Sequence, residues 1–192
     1  MAERLQGKIS LNQLYDLLIS AIIYLSKDEE IDKFKLQKGV FYFIWKYSNY
    51  KNIDFKLIAD KLGIEPNKFG PYSENIDGLA EMLQKKGLIS IKERNNSLLF
   101  KATESGLNYI DLSDMGAKNL LNDIHNLVGK LDPKTLVFFV YYNPYIPSDV
   151  KEYFTSKSEI KQEFENKKEQ YVEKLKLADI IDDSAASLIL SA

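Results

Sequence analysis

Seven residues carry side chains suited to gripping a nucleic acid: Lys68, Tyr72, Ser73, Asn75, Lys85, Lys92 and Arg94. Asn can bond adenine through two hydrogen bonds, and Ser or Tyr hydroxyls can hold phosphate. Lys92 and Arg94 would reach phosphate or the minor groove, with Lys68 and Tyr72 at the entrance and Lys85 at the far end of one helical stretch. That stretch, 74–86, also carries Glu74, Asp77 and Glu81 against Lys85 and Lys86. Affinity for nucleic acid is dominated by phosphate neutralisation, so these acids oppose it. A second use of the same surface is contact with a protein, through Asn75, Gly78, Met82 and Lys85.

Catalytic constellations are missing from the sequence. There is no cysteine, which removes disulfides, thiolate zinc sites and cysteine nucleophiles. His125 is the single histidine, and Asp123 lies two residues away, off its helical face. A structural or surface role is expected for it. No GxxxxGK[ST], GxGxxG or GxSxG run occurs, so no nucleotide cofactor and no hydrolase elbow is expected. Asp28-Glu29-Glu30 and Asp182-Asp183 fall in segments read as loop or tail, and no metal site is assigned.

Local signals dictate the elements that must position the seven residues. Ser10 with Gln13 forms a capping-box pattern ahead of Leu11, Leu14, Leu18, Ile22 and Leu25. Leu17, Ile19 and Ile23 make that first helix apolar on nearly every face. It should therefore be central or shared across a dimer. Asp32 caps a helix over 33–47 with Leu36, Val40, Phe43 and Ile44 inward, and Asp54 caps a short one ending at Gly63. Pro66 and the Lys68-Phe69-Gly70-Pro71 run make a turn that sets an interhelical angle. Ser73 caps 74–86, which stops at Gly87. Two strands follow, 88–94 and 97–101, joined at Asn95-Asn96, residues that tolerate positive φ. Thr103 caps a helix to about Ile110. Further helices are expected over 115–128, 133–142 and 148–154. Residues 159–176, with five Glu and five Lys, read as a solvated helix. The apolar end, LADIIDDSAASLILSA, is read as frayed or docked.

The totals are compatible with one large domain or one domain with an appendage. A 45% hydrophobic content supports a core, and no run approaches the ~18 apolar residues of a membrane span. The start, MAERLQGKIS, lacks a signal-peptide pattern, so a cytoplasmic location is expected. Residues 1–101 hold 16 Lys/Arg against 13 Asp/Glu, and residues 102–192 hold 10 against 15. A nucleic-acid face is therefore confined to the first part.

The KLQK…FYF segment and KFGPYSENIDGLAEMLQKKGLI resemble prokaryotic winged-helix proteins of the YwgA-like type. More distantly they are similar to the SocA/Panacea antitoxin domain, although Gly39 stands where a bulkier residue is usual. TLVFFVYYNPYIPSDV also resembles the end of the YwgA-like group. The resemblance implies a mainly α fold with a small hairpin: a winged helix over 33–110, an N-terminal helix over 1–32, and a C-terminal helical region over 111–192. It implies a non-enzymatic, dimeric DNA-binding regulator or antitoxin-like factor acting on double-stranded DNA. The alternative is an adaptor whose winged helix and C-terminal helix bind a protein partner.

Overall fold

The computed structural model describes residues 9–67, 70–110, 112–144, 146–153 and 158–191, and it is mainly helical with a small antiparallel sheet. Helix α1 spans Leu11–Leu25 and opens with the expected box. Ser10 Oγ accepts from the Gln13 amide at 3.2 Å, and Gln13 Oε1 accepts from the Ser10 amide at 3.0 Å. From Ser20 onward every residue of α1 is buried within the chain. Much of its apolar excess is thus absorbed internally, while Leu11 stays exposed and Leu17 and Ile19 are partly buried.

A two-residue strand, β1 (Ile31–Asp32), leads into α2 (Lys33–Lys51), where the Asp32 carboxylate accepts from the Lys35 amide at 3.0 Å. Helix α2 ends at Asn52 in the left-handed conformation, four residues beyond the expected stop at Tyr47. Every residue from Leu36 to Trp45 is buried. It is α2, more than α1, that the rest of the chain wraps. Gly39 permits this: a Cβ there would lie 3.0 Å from Leu25 Cδ1 and 3.1 Å from Val128 Cγ2.

Helix α3 (Phe55–Lys61), capped by Asp54, precedes a small hairpin of β2 (Glu65–Asn67) and β3 (Gly70–Tyr72). The turn expected around Pro66–Pro71 is this hairpin, and Lys68 and Phe69 lie outside the described residues. Helix α4 (Glu74–Lys85) then leads to β4 (Ile89–Arg94) and β5 (Ser97–Ala102). Asn95 and Asn96 both take positive φ, 51° and 59°, and Arg94 faces Ser97 across a two-residue turn. Strand β1 pairs with β5, Ile31 opposite Phe100 and Asp32 opposite Leu99, giving the order β1-β5-β4. Two residues are too few for a period-2 pattern, so β1 is invisible to sequence reading.

Helix α5 (Glu104–Tyr109) starts at the Thr103 cap. A Cβ at Gly106 would sit 2.0 Å from the Leu88 carbonyl oxygen, so only glycine fits. Helices α6 (Met115–Lys130) and α7 (Pro133–Tyr142) are capped by Asp114 and Asp132, and α8 (Ser148–Glu152) is short. The charged stretch is not one solvated helix. It breaks at Lys167 into α9 (Ser158–Asn166) and α10 (Lys168–Leu177), with Phe164, Tyr171, Val172 and Leu175 buried. The cause is aromatic: Tyr171 stacks on Phe138 of α7 at 4.8 Å between ring centroids. The apolar end forms α11 (Asp183–Ser191). It packs on α10 through a buried face that includes Ala186 and Ile189, while Leu188 and Leu190 stay exposed. A single hydrophobic cluster runs from Leu14 to Ile189.

Candidate functional site

Of the seven predicted contact residues, Lys68 lies outside the described residues, and most of the others are committed to the fold. Ser73 is the clearest correction. It is 1% exposed, its Oγ donates to the Leu62 carbonyl at 2.6 Å, and it makes no side-chain cap on α4. Asn75 is exposed, but its amide donates to the same Leu62 carbonyl at 3.0 Å. Tyr72 is half-buried and donates to Asp77. The bond to Asp77 and burial both push its phenol pKa up. Helix α4 therefore enters the fold by using the very groups proposed to read bases.

Lys92 and Arg94 stand exposed on β4, where both pair with Glu30, at 3.0 and 3.2 Å. The Lys92 hydrogen bond leads in holding the Glu30 carboxyl below its usual range. Both cations thus share one carboxylate, while Glu93, between them on the strand, projects to the opposite face. On α4 the exposed Glu74 and Glu81 balance Lys85 and Lys86. Lys85 is the one described residue of the seven that makes none of these contacts. Asp77, counted from sequence among the acids facing phosphate, is neutralised by Lys33 at 2.6 Å.

The group that binds these segments together was not singled out from sequence as a site. Gln37, 2% exposed on α2, grips the entrance to α4 from both sides. Its Nε2 donates to the Ser73 carbonyl at 3.0 Å and to Asp77 Oδ1 at 2.8 Å, and its Oε1 accepts from the Ser73 amide at 3.2 Å. Lys38, also buried, donates to the Pro71 carbonyl at 2.9 Å. Gly70, at φ 92°, keeps the hairpin within reach; a Cβ there would meet Lys38 Cε at 3.1 Å. The signal available in sequence was a polar Gln-Lys pair inside an otherwise apolar helical run.

Next to Lys38 lies a cleft of about 360 Å³ lined by Lys33, Phe34, Gln37, Tyr72, Asn96 and Leu98 among others. Phe34 and Leu98 are 46% and 39% exposed. Burial pushes the Lys38 ammonium down to about 8, with Asp32 partly opposing the shift. The unfolded chain keeps its proton to about 10.5, so between these values it binds more protons than the native state. Stability therefore rises with pH across that window and is insensitive to Lys38 below it. Urea unfolding should show a gain of roughly 2 kcal/mol between pH 8 and 10, absent in Lys38→Met. A flat wild-type profile would mean that Lys38 is hydrated.

His125 is a partly buried packing residue. It lies edge-on to Tyr24, with centroids 6.2 Å apart, and 3.4 Å from Asp28. Burial leads in lowering its pKa, with Lys27 adding to it. Among the described residues no group of three potential ligands could hold a metal ion, and no helix is long and apolar enough to cross a membrane. The chain matches no family model, no curated protein and no solved structure.

Proposed function

We propose that β1 to β5 with their helices form a winged-helix module that contacts a protein partner, with α4 and the β4–β5 wing as the contact surface. The observation that carries this reading is charge balance on that surface. Glu74 and Glu81 offset Lys85 and Lys86, while Glu30 pairs with both Lys92 and Arg94. A groove-binding surface needs an excess of cations to displace counterions from phosphate. The buried Ser73 and the internal hydrogen bonds of Asn75 and Tyr72 also weigh against base reading by these residues. The module acts as an adaptor and not as an enzyme. The YwgA-like resemblance belongs to the same proposal.

The competing reading is a DNA-binding regulator. It keeps one point in its favour: the exposed pairs to Glu30 are weak and would open readily onto phosphate. Fluorescence anisotropy with random and AT-rich duplexes, at low and physiological salt, decides between the two. The adaptor reading expects no saturable binding at physiological salt. Micromolar or tighter binding would overturn it, provided the double variant Lys92→Ala/Arg94→Ala lowers the salt slope by about 2.

A further inference from the structure

The cleft beside Lys38 combines three features that point to one kind of occupant. First, the Lys38 side chain is 2% exposed and lines the cleft. An ammonium has three N–H donors, and among the described residues the Pro71 carbonyl is its one hydrogen-bond acceptor. A charge removed from water is costly unless its donors are satisfied. Asp32 acts on it through space, without a hydrogen bond. The neighbouring Lys33 is already neutralised by Asp77, so Lys38 is the positive group with capacity to spare.

Second, the cleft has apolar walls, Phe34 on α2 and Leu98 on β5, both substantially exposed. Third, one rim of the cleft is the edge of a sheet. Strand β1 stops at Asp32 opposite Leu99, because Asp32 then caps α2 and turns the chain into a helix. Among the described residues no strand continues along that edge of β5 at Leu98, whose backbone faces away from β4, whereas Ser97 pairs with Arg94 across the turn; both residues line the cleft. An open edge is a template for an added strand, in which main-chain bonds give affinity and side-chain pockets give specificity.

We propose that the cleft binds an extended segment of a protein partner, added along β5 where β1 ends, with an acidic side chain bonded to Lys38 and an apolar one between Phe34 and Leu98. This rests on the adaptor reading and names the partner's chemistry. An extended strand sends alternate side chains to one face, so the motif is acidic and apolar residues close in sequence.

The test uses the full chain and a blocked hexapeptide of alternating glutamate and leucine, titrated while backbone amide shifts are followed by NMR. Saturable shifts centred on the Leu98 amide are expected. Replacing the glutamates by glutamine should weaken binding several-fold, because the amide oxygen still accepts from Lys38 but without the opposing charge. Lys38→Met should do the same. Because that variant also frees the Pro71 carbonyl, Leu98→Ser on the exposed wing serves as the independent variant and should weaken binding several-fold. Equal binding of the two peptides, or unchanged binding to Leu98→Ser, would overturn the proposal. So would hexanoate binding as tightly as the peptide, which would make the ligand a free organic acid. These outcomes are separate from the duplex experiment: failure of the peptide leaves the adaptor reading standing, whereas tight DNA binding sinks that reading whatever the peptide does.

Discussion

Phe138→Ala should lower the unfolding free energy by about 3–5 kcal/mol, among the largest losses available to a single truncation in this chain. Phe138 lies on α7 with no exposed surface. Its ring stacks on Tyr171 at 4.8 Å, meets Phe164 edge-on at 5.4 Å, and lies 4.6 Å from Tyr142. Two of those neighbours, Phe164 and Tyr171, belong to α9 and α10. The truncation therefore leaves a cavity at the joint that holds the charged C-terminal helices to the core. Collapse into that cavity is hindered, because Tyr142 is tied to Glu165 through its hydroxyl. Urea unfolding gives the magnitude, and amide exchange in α10 tells where the loss falls. Protection in α10 should drop more than in α2. A loss below about 1 kcal/mol would mean that the C-terminal helices repack without this ring.

The same aromatic cluster shows why 159–176 misleads as a sequence. Alternating Glu and Lys is the pattern of a solvated helix, and those charges are largely at the surface, for example Lys134 to Glu163 at 2.9 Å and Lys167 to Glu163 at 3.3 Å. The buried face is carried by Phe164, Tyr171, Val172 and Leu175. A break at Lys167 brings those residues to one side. Composition reports the exposed face and says little about four spaced apolar residues whose partner, Phe138, is distant in sequence.

Start and stop signals were legible because they are local. Ser10, Asp32, Asp54 and Thr103 each accept a hydrogen bond from an amide two or three residues on, so a short window contains both partners. The Asn95-Asn96 hairpin is equally local. Ser73 has the same cap signature, yet its hydroxyl goes to Leu62 and its backbone to Gln37, 11 and 36 residues away. Tertiary competition for a polar group cannot be read from a window, and this is why the partners of Ser73 were not legible where most helix starts were. Glu30 is the same case: nothing near it in sequence announces that it will meet Lys92 and Arg94.

Gln37→Leu should cost about 3–5 kcal/mol, more than loss of one ordinary hydrogen bond, because of what it strands. Leucine fills comparable space but offers no polar atom. The Ser73 amide and carbonyl, in a residue 1% exposed, would each lose the Gln37 partner, and Asp77 would lose one of its three donors. A buried backbone group left without a partner costs about 1–3 kcal/mol. Gln37→Glu separates polarity from charge. It keeps an acceptor for the Ser73 amide, but it loses the donor to the Ser73 carbonyl and sets a carboxylate against Asp77, so it should be no better than leucine. The measurement is equilibrium unfolding of both variants, with amide exchange at Ser73 and in the first turn of α4. If Gln37→Leu unfolds within about 1 kcal/mol of wild type, water reaches the Ser73 backbone and the junction is not sealed. If both variants are severely destabilised while α1 and α6 keep their protection, the Gln37 grip holds α4 against α2 as a local unit. The contact surface proposed for the partner would then depend on one buried amide.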